Sequence, residues 1–119
     1  MKLSEAEWSV LNILWSGSHF SLKEITTALQ EVNGWNKNTV HTYLTRMEKK
    51  GLVSIERSLD KPYSAAVTKE FCARNERTEL LDKVYGGATG DLIAAFLKES
   101  TISTEERNRL KKMLDDMEV

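Results

Sequence analysis

Residues 36–53 read NKNTVHTYLTRMEKKGLV. The spacing predicts a helix with two chemically different faces, a stop at Gly51 and an apolar strand behind it. Val40, Tyr43, Leu44 and Met47 recur at helical intervals, an apolar stripe that must pack on something. Asn38, His41, Thr42, Thr45 and Lys49 repeat that spacing on another face, with Thr39 at its start and Lys37, Arg46 and Lys50 nearby. Short polar side chains framed by cations suit a DNA major groove, where small donors and acceptors meet base edges and Lys or Arg meets phosphate. A solvated helix face is the competing reading. Asn38, His41, Thr42 and Thr45 are best placed for bases or nearby phosphates, and Lys37, Arg46, Lys49 and Lys50 for the backbone. Arg46 lies nearer the apolar stripe, so pairing with a carboxylate inside the domain is its alternative.

Working outward, helix starts are legible. Ser4 with Glu7, Ser21 with Glu24 and Ser103 with Glu106 have capping-box spacing, and Asn36 is an N-cap with Trp35 placed to staple onto Val40. Helices are predicted over about 4–16, 21–33 and 36–50, the second stopped at Asn33-Gly34. LVSIERSLDKPYSAAV, residues 52–67, then alternates as a β-hairpin turning at Leu59–Pro62, with Arg57 and Lys61 at its tip. These two cations are either wing contacts to phosphate or ordinary surface charge. Thr68 caps a long helix to about Tyr85, Gly86-Gly87 breaks it, and helices follow over about 90–99 and 104–117. Three helices and a hairpin make the winged helix-turn-helix pattern. The expected fold is therefore mainly α with a small β-hairpin: a winged helix domain over 1–67 and a helical dimerisation region over 68–119.

The chain has 119 residues, 40% hydrophobic and 29% charged, which suits a globular protein rather than a disordered one. Its net charge of −1 is unpromising for a nucleic-acid binder, but the distribution matters more. Residues 36–61 hold 6 Lys/Arg against 3 Asp/Glu, while residues 68–119 hold 9 against 11. No apolar run approaches a membrane span and the N-terminus lacks a signal-like apolar stretch, so the expectation is a cytoplasmic protein with no membrane partner. Cys72 is the only cysteine, read as a buried thiol at a helix start. His19 and His41 lack companions at metal-ligand spacing, and no nucleophile can be matched to a base, so neither metal, cofactor nor enzyme activity is expected. The glycine-rich run at 86–90 lacks the Lys-Ser/Thr ending of a phosphate loop and reads as a helix-breaking turn.

In the C-terminal half, Leu80, Leu81, Val84 and Tyr85, then Leu92, Ile93, Phe96 and Leu97, then Leu110, Met113, Leu114 and Met117 fall on apolar faces. Three short helices cannot bury all of these against a small winged helix. Pairing with a second copy is the economical solution, and an intrachain bundle is the alternative.

The early helix SEAEWSVLNILW, the run TVHTYLTRMEKKGLV and the later LLDKVYGG together resemble the BlaI/MecI/CopY family of penicillinase-type repressors, in order over nearly the full chain. The resemblance implies a homodimeric repressor whose winged helices bind double-stranded palindromic operators with TACA/TGTA half-sites, and whose C-terminal helices form the dimer. Copper-responsive members carry a C-terminal cysteine cluster, and this chain, ending KKMLDDMEV, has none. β-Lactam-responsive members are cleaved at an Asn-Phe bond through a sensor protease. The matching positions are Ala95 and Phe96: Phe96 fits and Ala95 departs from the pattern. The runner-up functions are a winged helix protein-interaction module and a ligand-sensing regulator of another family.

Overall fold

A computed structural model describes residues 2–118 of the chain. The order of elements is α1 (Glu5–Leu14), α2 (Leu22–Asn33), α3 (Lys37–Lys49), β1 (Val53–Ile55), β2 (Tyr63–Ala65), α4 (Lys69–Tyr85), α5 (Thr89–Glu99) and α6 (Thr104–Asp116). The helix starts follow from their caps. Ser4 and Ser21 each accept the backbone N–H three residues on, while Glu7 and Glu24 reach back to the N-cap N–H. Asn36 accepts the N–H of Thr39. Ser103 accepts the N–H of Glu106, but the return bond of the expected third box does not form among the described residues. Gly34 ends α2 in the left-handed region at φ 70, and Gly51 ends α3 at φ 78; a side chain at either position would be strained.

The chain forms two compact units, one running to Arg77 and the other from Thr78 on. The first unit thus extends past the expected boundary at residues 67 and 68, because the start of α4 belongs to it. Thr68 caps that helix through its hydroxyl, which accepts the N–H of Phe71, and Cys72 is buried in the first unit's core. Burial also pushes the Cys72 thiol's pKa up, which keeps it protonated and inert.

That core joins one face of each of the first three helices to the hairpin. Val10, Leu11, Ile25, Leu29, Val40 and Leu44 are completely buried, and Met47, Leu52, Val53 and Tyr63 close it from the α3 and wing side. The α3 stripe therefore faces inward as its periodicity requires. Trp15 ties the two ends of the unit together: its indole N–H donates to the Val67 carbonyl at 3.0 Å, and its ring meets Trp8 edge-on at 5.9 Å. Trp35 does more than flank Val40. It lies parallel to Tyr43 with centroids 4.5 Å apart, fixing the turn between α2 and α3. Replacing Leu44 by Ala would leave a cavity where relaxation is limited, and the expected loss is about 2–5 kcal/mol. Urea unfolding followed by tryptophan fluorescence reads this unit, since Trp8, Trp15 and Trp35 all lie in it. A loss under about 1 kcal/mol would mean that α3 is not packed as described.

The wing pairs β1 and β2 antiparallel, with Val53 opposite Ala65 and Ile55 opposite Tyr63. Sequence periodicity missed a third participant. Phe20, between α1 and α2, exchanges both backbone hydrogen bonds with Tyr63, at 2.9 and 3.0 Å. One residue outside any strand thus anchors the hairpin to the start of α2.

In the second unit no residue of α5 or α6 is buried. Val84, Phe96, Met113, Leu114 and Met117 are each more than half exposed. Ile93, Leu97, Leu110, Met113, Leu114 and Met117 line an apolar groove of about 230 Å³ along the two helices. Ala95 and Phe96 both lie within α5, with Phe96 exposed and Ala95 half-buried.

Candidate nucleic-acid interface

Because α3 buries Val40, Leu44 and Met47, its opposite side is turned to solvent. Lys37, Asn38, His41, Thr42, Arg46 and Lys49 are exposed there, with Thr39 and Thr45 half-exposed. The two hydroxyls are already engaged: Thr42 donates to the Asn38 carbonyl at 2.9 Å and Thr45 to the His41 carbonyl at 3.0 Å. Their hydroxyl protons point back into the helix, so each presents a methyl group and acceptor lone pairs outward. Such a surface can accept from base amino groups and touch thymine methyls, while the Asn38 amide can both donate and accept. The side chains of Lys37, Arg46 and Lys49 make no hydrogen bond or ion pair among the described residues. The carboxylate alternative weighed for Arg46 is therefore absent from this arrangement.

The other three candidate cations differ. Lys50, just past the end of α3, donates to Glu7 of α1 at 2.9 Å, and Glu7 is buried. Arg57 on the wing grips Glu48 of α3 with both arms of its guanidinium, at 3.0 and 3.1 Å. Lys61 donates to Glu24 of α2 at 3.2 Å. The sequence reading placed these cations near the interface but did not see their carboxylate partners. Only Glu48 lies near its partner in the chain, and no local spacing rule pairs a helix carboxylate with a residue on a wing.

Glu7 is the most constrained of the three carboxylates. Burial pushes its pKa up, but the Lys50 ammonium and the Ser4 N–H outweigh burial and hold it below its ordinary value of 4.5. A lowered carboxylate pKa gives stability that is complete above the unfolded value and disappears as pH falls through the folded one. Replacing Lys50 by Ala leaves the Glu7 charge unpaired, at an expected cost of about 1–2 kcal/mol at neutral pH, discounted because Lys50 itself is half exposed. Urea midpoints of K50A and the parent protein should converge below pH 4.5, as Glu7 becomes neutral in both. A gap that stays constant down to pH 3 would show that the ion pair is not the cause.

Among the described residues there is no cluster of three His, Cys, Asp or Glu side chains that could hold a metal, and no helix long and apolar enough to cross a membrane.

The chain is similar to several known proteins. The methicillin resistance regulatory protein MecI of Staphylococcus aureus strain N315 is 29% identical over 117 residues, spanning 96% of this chain and 94% of its own. The penicillinase repressor of Staphylococcus aureus is 28% identical over 118 residues, covering 98% and 94%. That of Bacillus licheniformis is 24% identical over 116 residues, covering 97% and 91%. The crystal structure of a MarR/EmrR family transcriptional regulator from Acinetobacter sp. ADP1 aligns with a TM-score of 0.44 and 20% identity, over 97% of this chain and 78% of its own. The profile described as penicillinase repressor matches residues 3–116, and the chain belongs to that family of transcriptional repressors.

Proposed function

We propose that the protein is a homodimeric repressor that reads a palindromic operator, with α3 of each protomer in a major groove. The observation that carries the reading is the outward face of α3: Asn38, His41 and Thr42 exposed together, framed by Lys37, Arg46 and Lys49 with no protein partner among the described residues. Family membership supports TACA/TGTA-type half-sites as the target. The apolar faces of α5 and α6, exposed in the single chain, support a second copy as the partner that covers them. Leu80, Leu81, Val84, Tyr85 and Leu92 extend the same surface in the proposed dimer. A two-fold pair would bind two half-sites with one loss of translational freedom, so opening the dimer releases the operator without touching the DNA face.

Regulated cleavage belongs to the proposal in a limited form. Position 95 is Ala, and the bond to Phe96 lies inside α5, so a sensor protease would need α5 to open first.

Contacts sort by role. Replacing Lys49 by Ala should weaken binding to every duplex by a similar factor, whereas Thr42→Ala or His41→Ala should change the preferred bases. Competitive gel shifts with operator variants separate the two. A base preference altered by K49A and untouched by H41A or T42A would reverse the assignment.

A further inference from the structure

We propose that Glu48 and Glu24 limit operator affinity by holding the wing cations Arg57 and Lys61 where DNA phosphates would otherwise hold them. The inference rests on the DNA-reading role of α3 and its wing.

The contrast between two sets of cations motivates it. On α3, Lys37, Arg46 and Lys49 are without carboxylate partners among the described residues. On the wing, both cations are satisfied. The Arg57 guanidinium meets the two oxygens of Glu48 side by side, through Nη1 at 3.0 Å and Nη2 at 3.1 Å. This fork is the same donor set that a phosphate takes from an arginine, so carboxylate and phosphate compete for one pair of N–H groups. Lys61 reaches Oε2 of Glu24, whose Oε1 accepts the Ser21 N–H at 2.9 Å. The α2 capping box therefore holds this carboxylate still beneath the wing tip.

Neither pair is buried. The Arg57 side chain is 69% exposed and that of Lys61 57%. Exposed pairs of this kind are weak, so a phosphate can displace the carboxylate. What the phosphate cannot displace is the negative charge. Glu48 stays on α3 and Glu24 on α2 whichever partner the cation chooses. Each adds a repulsion about as large as the attraction that its partner supplies. Arg57 pulls the pKa of Glu48 down, and the Ser21 N–H followed by Lys61 pulls that of Glu24 down, so both remain charged at neutral pH. Glu56 and Asp60 on the wing itself add two further negative charges. Arg57 and Lys61 together with Glu24, Glu48, Glu56 and Asp60 sum to −2, so the wing adds no net attraction and α3 supplies it.

E48Q and E24Q test this without disturbing the fold. Glu48 is exposed enough to change, and Gln at position 24 preserves the capping-box pattern, which accepts Glu or Gln. Binding to a TACA/TGTA palindrome is measured by fluorescence anisotropy from about 50 to 300 mM salt, with thermal melts to verify folding. Each variant should bind about threefold tighter per protomer at the lowest salt. Its plot of log affinity against log salt should steepen by up to about 1.8 per dimer, or 0.9 for each phosphate newly neutralised. Adding R57A to E48Q should return the slope to the parent value. Weaker binding by folded E48Q would overturn the inference and make Glu48 a residue that positions Arg57. An unchanged slope would overturn it as well, since the wing would then meet no phosphate. If the parent protein bound the palindrome with no salt dependence, the DNA reading of α3 would fall with it, an outcome distinct from failure of E48Q alone.

Discussion

Raising the salt from about 50 to about 200 mM should lower affinity for the operator by roughly a thousandfold. Lys37, Arg46 and Lys49 are the cations of the proposed interface with no carboxylate partner among the described residues, which gives six in the proposed dimer. Each phosphate that such a cation neutralises releases condensed counterions, with a log–log slope of about −0.9 per phosphate. The expected slope is therefore about −5. If Arg57 and Lys61 counted equally, ten cations would give a slope near −9. A salt titration thus separates an interface led by α3 from one shared with the wing, and a flat line would remove phosphate from the interface altogether. The chain's net charge of −1 does not argue against this, because attraction acts over about a Debye length and Lys37, Arg46 and Lys49 stand exposed on α3.

Replacing Leu114 by Glu should produce the second large effect. Leu114 is 59% exposed in the single chain, so the change leaves the protomer's own packing largely intact. In the proposed dimer it would bury an unpaired charge in an apolar face, which a two-fold interface repeats twice. The variant should sediment as a monomer at micromolar concentration. Operator affinity should fall by about a hundredfold to ten-thousandfold as the second half-site loses its effective concentration. Thermal unfolding of the winged helix unit, followed through its tryptophans, should be unchanged. A monomeric variant that retains full affinity would show that one winged helix suffices, and a variant that stays dimeric would place the interface elsewhere.

Much of this protein was legible in its sequence, for local reasons. Ser4, Ser21, Asn36 and Ser103 mark helix starts because a side-chain oxygen must satisfy an orphan N–H, and all four do so in the structure. Gly34 and Gly51 mark stops because the chain turns there through a left-handed conformation. The alternation of Tyr63, Ala65 and Val67 against Val53 and Ile55 foretold the hairpin. What escaped depended on contacts between distant segments. Phe20 pairs with Tyr63 from a link too short to look like a strand. Trp35 stacks on Tyr43 by ring geometry that spacing does not encode. The division between the units fell inside α4 because Cys72 packs backward into the first core, although Thr68 looked like a natural boundary. The candidate interface was similarly divided. Its exposed residues followed from the inward stripe of α3, but the engagement of Lys50, Arg57 and Lys61 by Glu7, Glu48 and Glu24 arises only from the folded arrangement.

The central claim is that the exposed face of α3 reads operator sequence as half of a two-fold pair. Its most direct measurement is equilibrium binding of the full chain to a TACA/TGTA palindrome and to a scrambled duplex of the same composition, at one salt concentration, with stoichiometry read from the same titration. The palindrome should bind at least about a thousandfold more tightly, with two protomers per duplex. Equal affinity for the two duplexes would contradict it, leaving a winged helix whose α3 face serves a different partner.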